Sequence, residues 1–529
     1  MDFEHQRREE VIQYIYAKYG RARAALTAVV ISYRPRSVLR DTGRALGLDS
    51  AIIDAVARAH QWWDGKKEML RTLHQCGLDP SSRIARQWAI LAETLMGFPR
   101  HLSQHPGGFV ISRGKLSRLV PIENAAMDGR SVVQWDKDDL DALNLLKVDV
   151  LALGMLSMLR RALGMAGQRR GLPLALHQIP PDDTPTYDMI CRADTVGTFQ
   201  IESRAQMSML PRLQPRCYYD LVVQVAIVRP GPIQGGMVHP YLRRRQGKEA
   251  IVSPGQAVEE VLRRTMGVPI FQEQVMQIAV AAAGFTPGEA DQLRRSMAAW
   301  RRKGGVDRFR LKLINGLVAN DYSLEFAEAL FRQIEGFGEY GFPESHAASF
   351  AQLAYASAWL KCHEPEAFLA ALLNSQPMGF YAPAQLVQDA RRHGVVVLPT
   401  DITISGWEAG FEPLAGQTRP AVRLGLNQIK GLKEAAGSRI EHARRQQPFT
   451  DVADLGRRAG LNRQELDALA AADALRPLAG HRRQARWQSA VGVHSRDLLH
   501  HAPILETERP LLLRPAKAKP WWPITTVPA

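Results

Sequence analysis

Leu145-Leu-Lys-Val-Asp-Val-Leu-Ala-Leu, residues 145–153, is the stretch on which the fold turns. Residues alternate here with the period of two that a β-strand imposes, so Lys147 and Asp149 share one face and Val148 and Val150 the other. An ionised carboxylate among such apolar neighbours needs a cation or a metal, because burying it unpaired costs several kcal/mol or more. Spacing alone leaves two readings open. One is a solvated Lys/Asp neighbour pair, the less demanding of the two, and the other is a metal ligand.

Earlier in the chain, His105-Pro-Gly-Gly-Phe-Val-Ile-Ser joins a Pro/Gly turn to a short apolar run, a second strand signal. The flanks read differently. From Arg8 to about His60 apolar residues recur at three and four (Val11, Tyr14, Ile15; Ile52, Ile53, Val56), which predicts mostly helix. Helices are again expected from Tyr187 to about Ser375, punctuated by Arg229-Pro-Gly-Pro-Ile-Gln-Gly-Gly and Gly336-Phe-Gly-Glu-Tyr-Gly-Phe-Pro. Gly394-Val-Val-Val-Leu-Pro-Thr-Asp reads as a strand, Leu424 to Leu475 as compact helices, and the chain from Pro510 as irregular. The fold class is multidomain and mostly α, with a small mixed β-sheet.

A chain of 529 residues predicts roughly three to four domains. Its 46% apolar and 23% charged residues form a globular composition and exclude global disorder. The 68 Lys and Arg against 53 Asp and Glu leave +15. That excess favours a polyanionic partner, nucleic acid before an acidic membrane, and ribosome contact would look similar. Cys76, Cys191, Cys217 and Cys362 are too scattered for a disulfide framework or a C-x-x-C zinc site. With no signal core and no apolar run near the roughly 18 residues of a span, a soluble cytoplasmic protein without a membrane partner is expected.

The basic clusters Arg243-Arg244-Arg245, Arg263-Arg264, Arg294-Arg295 and Arg301-Arg302-Lys303 would each pass as a solvated helix face. Together, within about sixty residues, they point to a phosphate-binding surface. Arg100, His105, Gly107 and Gly108 form a turn where backbone can approach a ligand while Arg and His donate, although a structural tight turn explains the same residues. His346, beside Ser345, suits a helix cap or a phosphate contact, the cap being the plainer reading.

Asp2-Phe-Glu, His105-Pro-Gly-Gly-Phe-Val-Ile, Lys147-Val-Asp-Val-Leu-Ala-Leu-Gly, Thr198-Phe-Gln-Ile-Glu-Ser-Arg, Arg229-Pro-Gly-Pro, Phe271-Gln-Glu-Gln-Val-Met, Leu293-Arg-Arg-Ser-Met and Tyr340-Gly-Phe-Pro-Glu-Ser-His occur in this order. In that order they resemble the bacterial C-family DNA polymerases, the alpha subunits of DNA polymerase III, from the first residue to about Ser495. Gln134-Trp-Asp-Lys-Asp-Asp-Leu-Asp-Ala-Leu is closer to the error-prone, damage-inducible branch than to the replicative one. The resemblance implies template-directed nucleotidyl transfer in damage-induced mutagenesis and translesion synthesis. It also implies two Mg²⁺ ions held by three palm aspartates. Asp149 matches the third of these and Asp2 the second, while the first would precede Met1. Lys147, Arg294 and Arg295 would contact the incoming deoxynucleoside triphosphate, with Arg100, His105, Gly107 and Gly108 also on the substrate. Arg229, Arg243, Arg244, Arg245, Lys430 and Gly431 would contact primer-template DNA.

The same resemblance maps 1–31 and 107–155 to palm, 32–106 to thumb, 156–400 to fingers and 401–480 to a helix-hairpin-helix region, with 481–529 an irregular tail. Ile429-Lys-Gly-Leu-Lys departs from the usual Gly-x-Gly hairpin turn. No Gln-x-x-Leu-Phe clamp motif occurs, which fits that branch; the resemblance implies other mutagenesis proteins as partners and the sliding clamp as an indirect one. The family is longer at both ends. That implies a fragment, with Met1 standing where the family has Val and the residues around Lys519-Pro-Trp-Trp read out of frame. A polymerase piece, a replicative alpha-subunit piece and a non-catalytic DNA-binding or scaffold remnant are the competing readings, and a chain starting at Met1 is expected to bind DNA weakly and to extend a primer with Mg²⁺ only at background rate.

Overall fold

Ala24-Ala-Leu-Thr-Ala-Val-Val-Ile-Ser is apolar but for Thr27 and the terminal Ser32 and rich in β-branched residues, and in the computed structural model it is a strand. The structure describes residues 2–59, 74–143, 145–229, 232–233, 236–251, 255–298, 307–337, 343–379 and 381–491. The Arg301–Lys303 cluster, residues 340–342 of the Tyr340 motif and the tail after Val491 lie outside them. Residues up to Leu153 form one unit and those from Gly154 another.

The first unit contains β1 (Asp2–Glu4), α1 (Arg8–Tyr19), β2 (Ala24–Ser32), α2 (Pro35–Ala45), α3 (Ser50–Ala59), α4 (Arg83–Leu95) and β3 (Pro99–Ile111). After these come β4 (Ile122–Asn124), β5 (Ser131–Val133), α5 (Lys137–Ala142), β6 (Lys147–Asp149) and β7 (Leu151–Leu153). A five-stranded sheet has the order β4-β5-β2-β3-β6, and β1 pairs with β7 in a two-stranded parallel sheet. The expected helical run from Arg8 to His60 is therefore interrupted by the central strand of the sheet. The physical reason is burial on both faces over Ala24–Ala28, the first half of the strand. Leu26 and Ala28 pack with Ile12, Tyr16 and Phe109, whereas Ala25 packs with Val110, Val133 and Leu140. A strand covered on both sides reads as continuous apolar sequence and loses its period of two.

β2 and β3 run antiparallel from Ala24 against Ile111 to Ser32 against Pro99. The register jumps from Leu26↔Phe109 to Ala28↔Gln104, so His105, Pro106, Gly107 and Gly108 bulge opposite the single residue Thr27. Residue 106, the expected end of the thumb, lies inside β3. The segment expected as one strand over 145–153 is two strands, because Val150 is the point where the chain leaves the large sheet to join β1.

The second unit is mainly helical. Helix Glu344–His363 buries Ala347, Ala351, Ala354 and Ala358 along one stripe and packs on Tyr218–Ile227. Its first turn holds Ser345 and His346, and its N-cap is Pro343, which makes no side-chain cap. The His346 ring lies 4.2 Å from that of Phe350. Further on, β8 (Val397–Leu398), β9 (Gly410–Glu412) and β10 (Ala421–Arg423) form a three-stranded sheet in the order β8-β10-β9. Helices Glu434–Gln446, Val452–Arg458, Arg463–Ala471 and Arg482–Val491 share a core that includes Leu426, Ile440, Leu455 and Leu469. Gly437 is needed there, since a Cβ would stand 2.4 Å from the Trp407 ring. All four cysteines are free. No helix among the described residues is long and apolar enough to cross a membrane.

Candidate active site and nucleic-acid contacts

A four-residue bulge strands backbone groups that the β2 ladder cannot reach, and each needs another partner. Gly107 N–H and Gly108 N–H both donate to His105 Nδ1, at 3.1 and 2.6 Å. Pro106 O accepts from Arg8 Nη1 at 2.7 Å, and Gly107 O accepts from Val150 N–H at 2.7 Å. Burial, reinforced by the Lys147 ammonium and opposed by Asp149, holds His105 below its usual pKa. The neutral ring with its proton on Nε2 is the form that accepts at Nδ1.

The bulge is also where β6 docks. Gly108 pairs with Asp149, Phe109 with Val148 and Val110 with Lys147. A Cβ on Gly107 would lie 2.0 Å from Val150 O, and one on Gly108 2.9 Å from both His105 Nδ1 and Thr27 Oγ1. Gly107 is there because backbone meets backbone, and Gly108 because the His105, Thr27 and Lys147 side chains fill the space a Cβ would take. Lys147 Nζ sits 3.0 Å from Asp149 Oδ1, so the shared face read from the alternation carries an ion pair, with Asp149 36% exposed and reachable. Asp2 pairs in register with Leu151, two positions along the chain from Asp149, which sets both carboxylates on the β6–β7 segment and its neighbour. Carboxylate oxygens are the right donors for Mg²⁺, and in donor chemistry Asp2 and Asp149 fit the ion. Arg100 is elsewhere on β3. Its guanidinium bonds Asp41 at 2.8 Å and lies over the Tyr33 ring, so the structure does not bring it to Asp149.

In the second unit most of the expected phosphate ligands already have partners. Arg244 bonds Glu249 at 3.0 Å and Met266 O at 2.8 Å, and Arg245 bonds the buried Asp220 at 2.7 Å. Arg294 and Arg295 both pair with Asp291, at 2.8 Å each, and Arg294 leads in pulling that carboxyl below its usual pKa. Arg229 donates to Val225 O and Gln200 Oε1. Arg243 and Lys430 are exposed, and Gly431 beside the latter takes φ +91°.

One cluster has no local sequence signal. Among the described residues Asp194, Asp389 and His393 are the group of three possible ligands close enough to share a cation. The buried Lys361 ammonium already sits 3.1 Å from Asp194 and 2.8 Å from Asp389. His393 places Nε2 2.5 Å from Asp194 Oδ2 and Nδ1 2.8 Å from Asp389 O. Although burial opposes it, these two acceptors raise the His393 pKa and favour the imidazolium. The cations of this cluster are the protein's own.

Three stretches of the chain match family models. Residues 1–152 match the bacterial DNA polymerase III alpha NTPase domain, 155–321 the bacterial DNA polymerase III alpha subunit finger domain, and 394–485 a helix-hairpin-helix motif. With a carboxylate-bearing sheet followed by a helical unit, the chain belongs to the bacterial DNA polymerase III alpha subunit family. Its relatives narrow the branch. It is 80% identical to an error-prone DNA polymerase of Bordetella bronchiseptica, over 98% of this chain and 49% of that protein. Similar proteins of the same name occur in Burkholderia pseudomallei, 63% identical over 98% of this chain and 50% of theirs, and in an Azoarcus species, 65% identical over 95% and 48%. The chain spans about half the length of the curated relatives it matches.

Proposed function

We propose that this chain carries the palm, thumb, fingers and helix-hairpin-helix parts of an error-prone DNA polymerase, acting in the cytoplasm on primer-template DNA and deoxynucleoside triphosphates. The observation that carries the reading is the register of Asp149 against Gly108, with Lys147 bonded to the same carboxylate. Asp149 and Asp2 would hold Mg²⁺, which when bound activates the primer 3′-hydroxyl and offsets charge on the pyrophosphate leaving group. Lys147 masks Asp149 without substrate; a triphosphate would draw the ammonium away and free the carboxylate oxygens. Arg294 and Arg295 would exchange Asp291 for a nucleotide phosphate, and the exposed Arg243 and Lys430 would lie along DNA. The names of the relatives favour the error-prone branch over the replicative one.

A second reading, a DNA-binding or scaffold piece without chemistry, is favoured by the Lys147–Asp149 pair, which leaves that carboxylate already neutralised. Primer extension with Mg²⁺ separates the two. The polymerase reading expects incorporation that falls by about a hundredfold or more in Asp149→Asn while DNA affinity is unchanged. Incorporation indifferent to that substitution would sink it. DNA binding with no Asp149-dependent incorporation selects the scaffold reading.

A further inference from the structure

We propose that His105 is a positioning residue: Nδ1 holds the backbone of Gly107 and Gly108 in the bulge against which Asp149 is registered, and the ring does so without touching substrate. The effect on activity rests on the polymerase reading above; the structural role does not.

Thr27 stands opposite the whole bulge, so the β2 ladder offers no acceptors for the two glycine N–H groups. A single atom, His105 Nδ1, takes both. The two carbonyls of the bulge are held from outside it, Pro106 O by Arg8 and Gly107 O by Val150 N–H. Removing Nδ1 therefore releases two of four attachment points, leaving Arg8 of α1 on Pro106 O and Val150, the residue after Asp149, on Gly107 O. Gly107 and Val150 are in backbone contact, closer than a Cβ would allow, and Gly108 is the ladder partner of Asp149. A bulge that relaxes displaces Val150 and Asp149 with it, and displacements of about 1 Å at a reacting centre can cost on the order of a hundredfold in rate.

The two ring nitrogens can be told apart by substitution. Asn sets its Oδ1 where Nδ1 lies and accepts local N–H groups as in an Asx-turn, whereas the Gln amide reaches the place of Nε2 and leaves the Nδ1 position empty. His105→Asn, His105→Gln and His105→Ala are made in the full chain and read by hydrogen exchange at the Gly107 and Gly108 amides and by primer-extension kinetics. His105→Asn is expected to keep slow exchange and a kcat within about twofold of the parent. His105→Gln and His105→Ala should speed exchange at both amides by about tenfold and lower kcat by about a hundredfold, with KM for primer-template unchanged. Unaltered exchange in all three variants overturns the proposal. So does full activity in His105→Gln with loss in His105→Asn, which would put Nε2 on the substrate. If the unsubstituted chain extends no primer, the polymerase reading fails by itself, and the exchange comparison still decides whether Nδ1 holds the bulge.

Discussion

The bulge at 105–108 and the arginine triplet at 243–245 look alike as sequence, each a short motif rich in groups that contact phosphates, yet they are built in opposite ways. In the bulge the backbone is the structure: Gly107 admits another stretch of backbone at contact distance, and Gly108 leaves room for the side chains packed around it. In the triplet the side chains are the structure, since Arg244 and Arg245 bond Glu249, Met266 O and Asp220 while Arg243 points to solvent. A run of like charges thus reports one free charge out of three, whereas a Gly pair reports a close approach with no charge involved.

The strongest way to break that contrast is Gly107→Ala. Its Cβ has no room beside Val150 O, so the first unit should lose about 3 kcal/mol, read as a lower urea midpoint. Gly431→Ala is the control, because its φ of +91° is strained for Ala but nothing crowds it, and about 1 kcal/mol is expected. Equal losses would mean that close approach is not what the Gly pair reports.

Arg245→Ala tests the other side. Asp220 is 7% exposed and also accepts from Arg216 N–H and Cys217 N–H, so removing its cation should cost about 2 kcal/mol. A comparable effect arises at Glu202, which burial pushes up to about 7, opposed by the Gly197 N–H and by Lys361. Its ordinary value is 4.5. The folded chain therefore holds a proton that the unfolded chain has released between those two values. Stability is greatest below pH 4.5 as far as this group is concerned, and it falls until the pH passes about 7. Glu202→Gln should flatten that limb of the urea midpoint against pH and add on the order of 2 kcal/mol above it. The smallest expected change in stability is that of Arg243→Ala, within about 0.5 kcal/mol. Its signature lies in DNA binding, where the slope of log K against log salt should become shallower by about 1. A stability loss equal to that of Arg245→Ala would erase the distinction within the triplet.

The alternation at Lys147-Val-Asp was legible because β6 is an edge strand with one polar face, and the Lys/Asp pair it implied is present. β2 was not legible from periodicity, because burial on both faces over Ala24–Ala28 removes the polar alternation that marks a strand, and the exposed residues that follow, Val30 and Ile31, are apolar too. His105-Pro-Gly-Gly was readable as a turn, but its function as an internal acceptor depends on a register jump against β2, which no local pattern encodes. Likewise Arg245 meets Asp220, and Lys361 meets Asp194 and Asp389, across long stretches of chain, so the sequence showed the charges without their neutralisation.

The pairing of Ser32 with Pro99 has a consequence for how this sheet is assembled. The chain leaves the sheet at the end of β2 and re-enters at the start of β3 one ladder rung away, and Tyr33 continues the pairing by bonding Phe98 O and Gly97 N–H. The helices in between have a core of their own, with Val38, Leu39, Ile53, Val56 and Trp88 packed together. Topologically the excursion from 33 to 98 is the loop of a hairpin grown into a module with adjacent ends, the arrangement in which whole segments are inserted or exchanged without disturbing their host. The five-stranded sheet registers only where that module is tied off, so a change of length confined to the module leaves β2, β3 and the bulge between them in place.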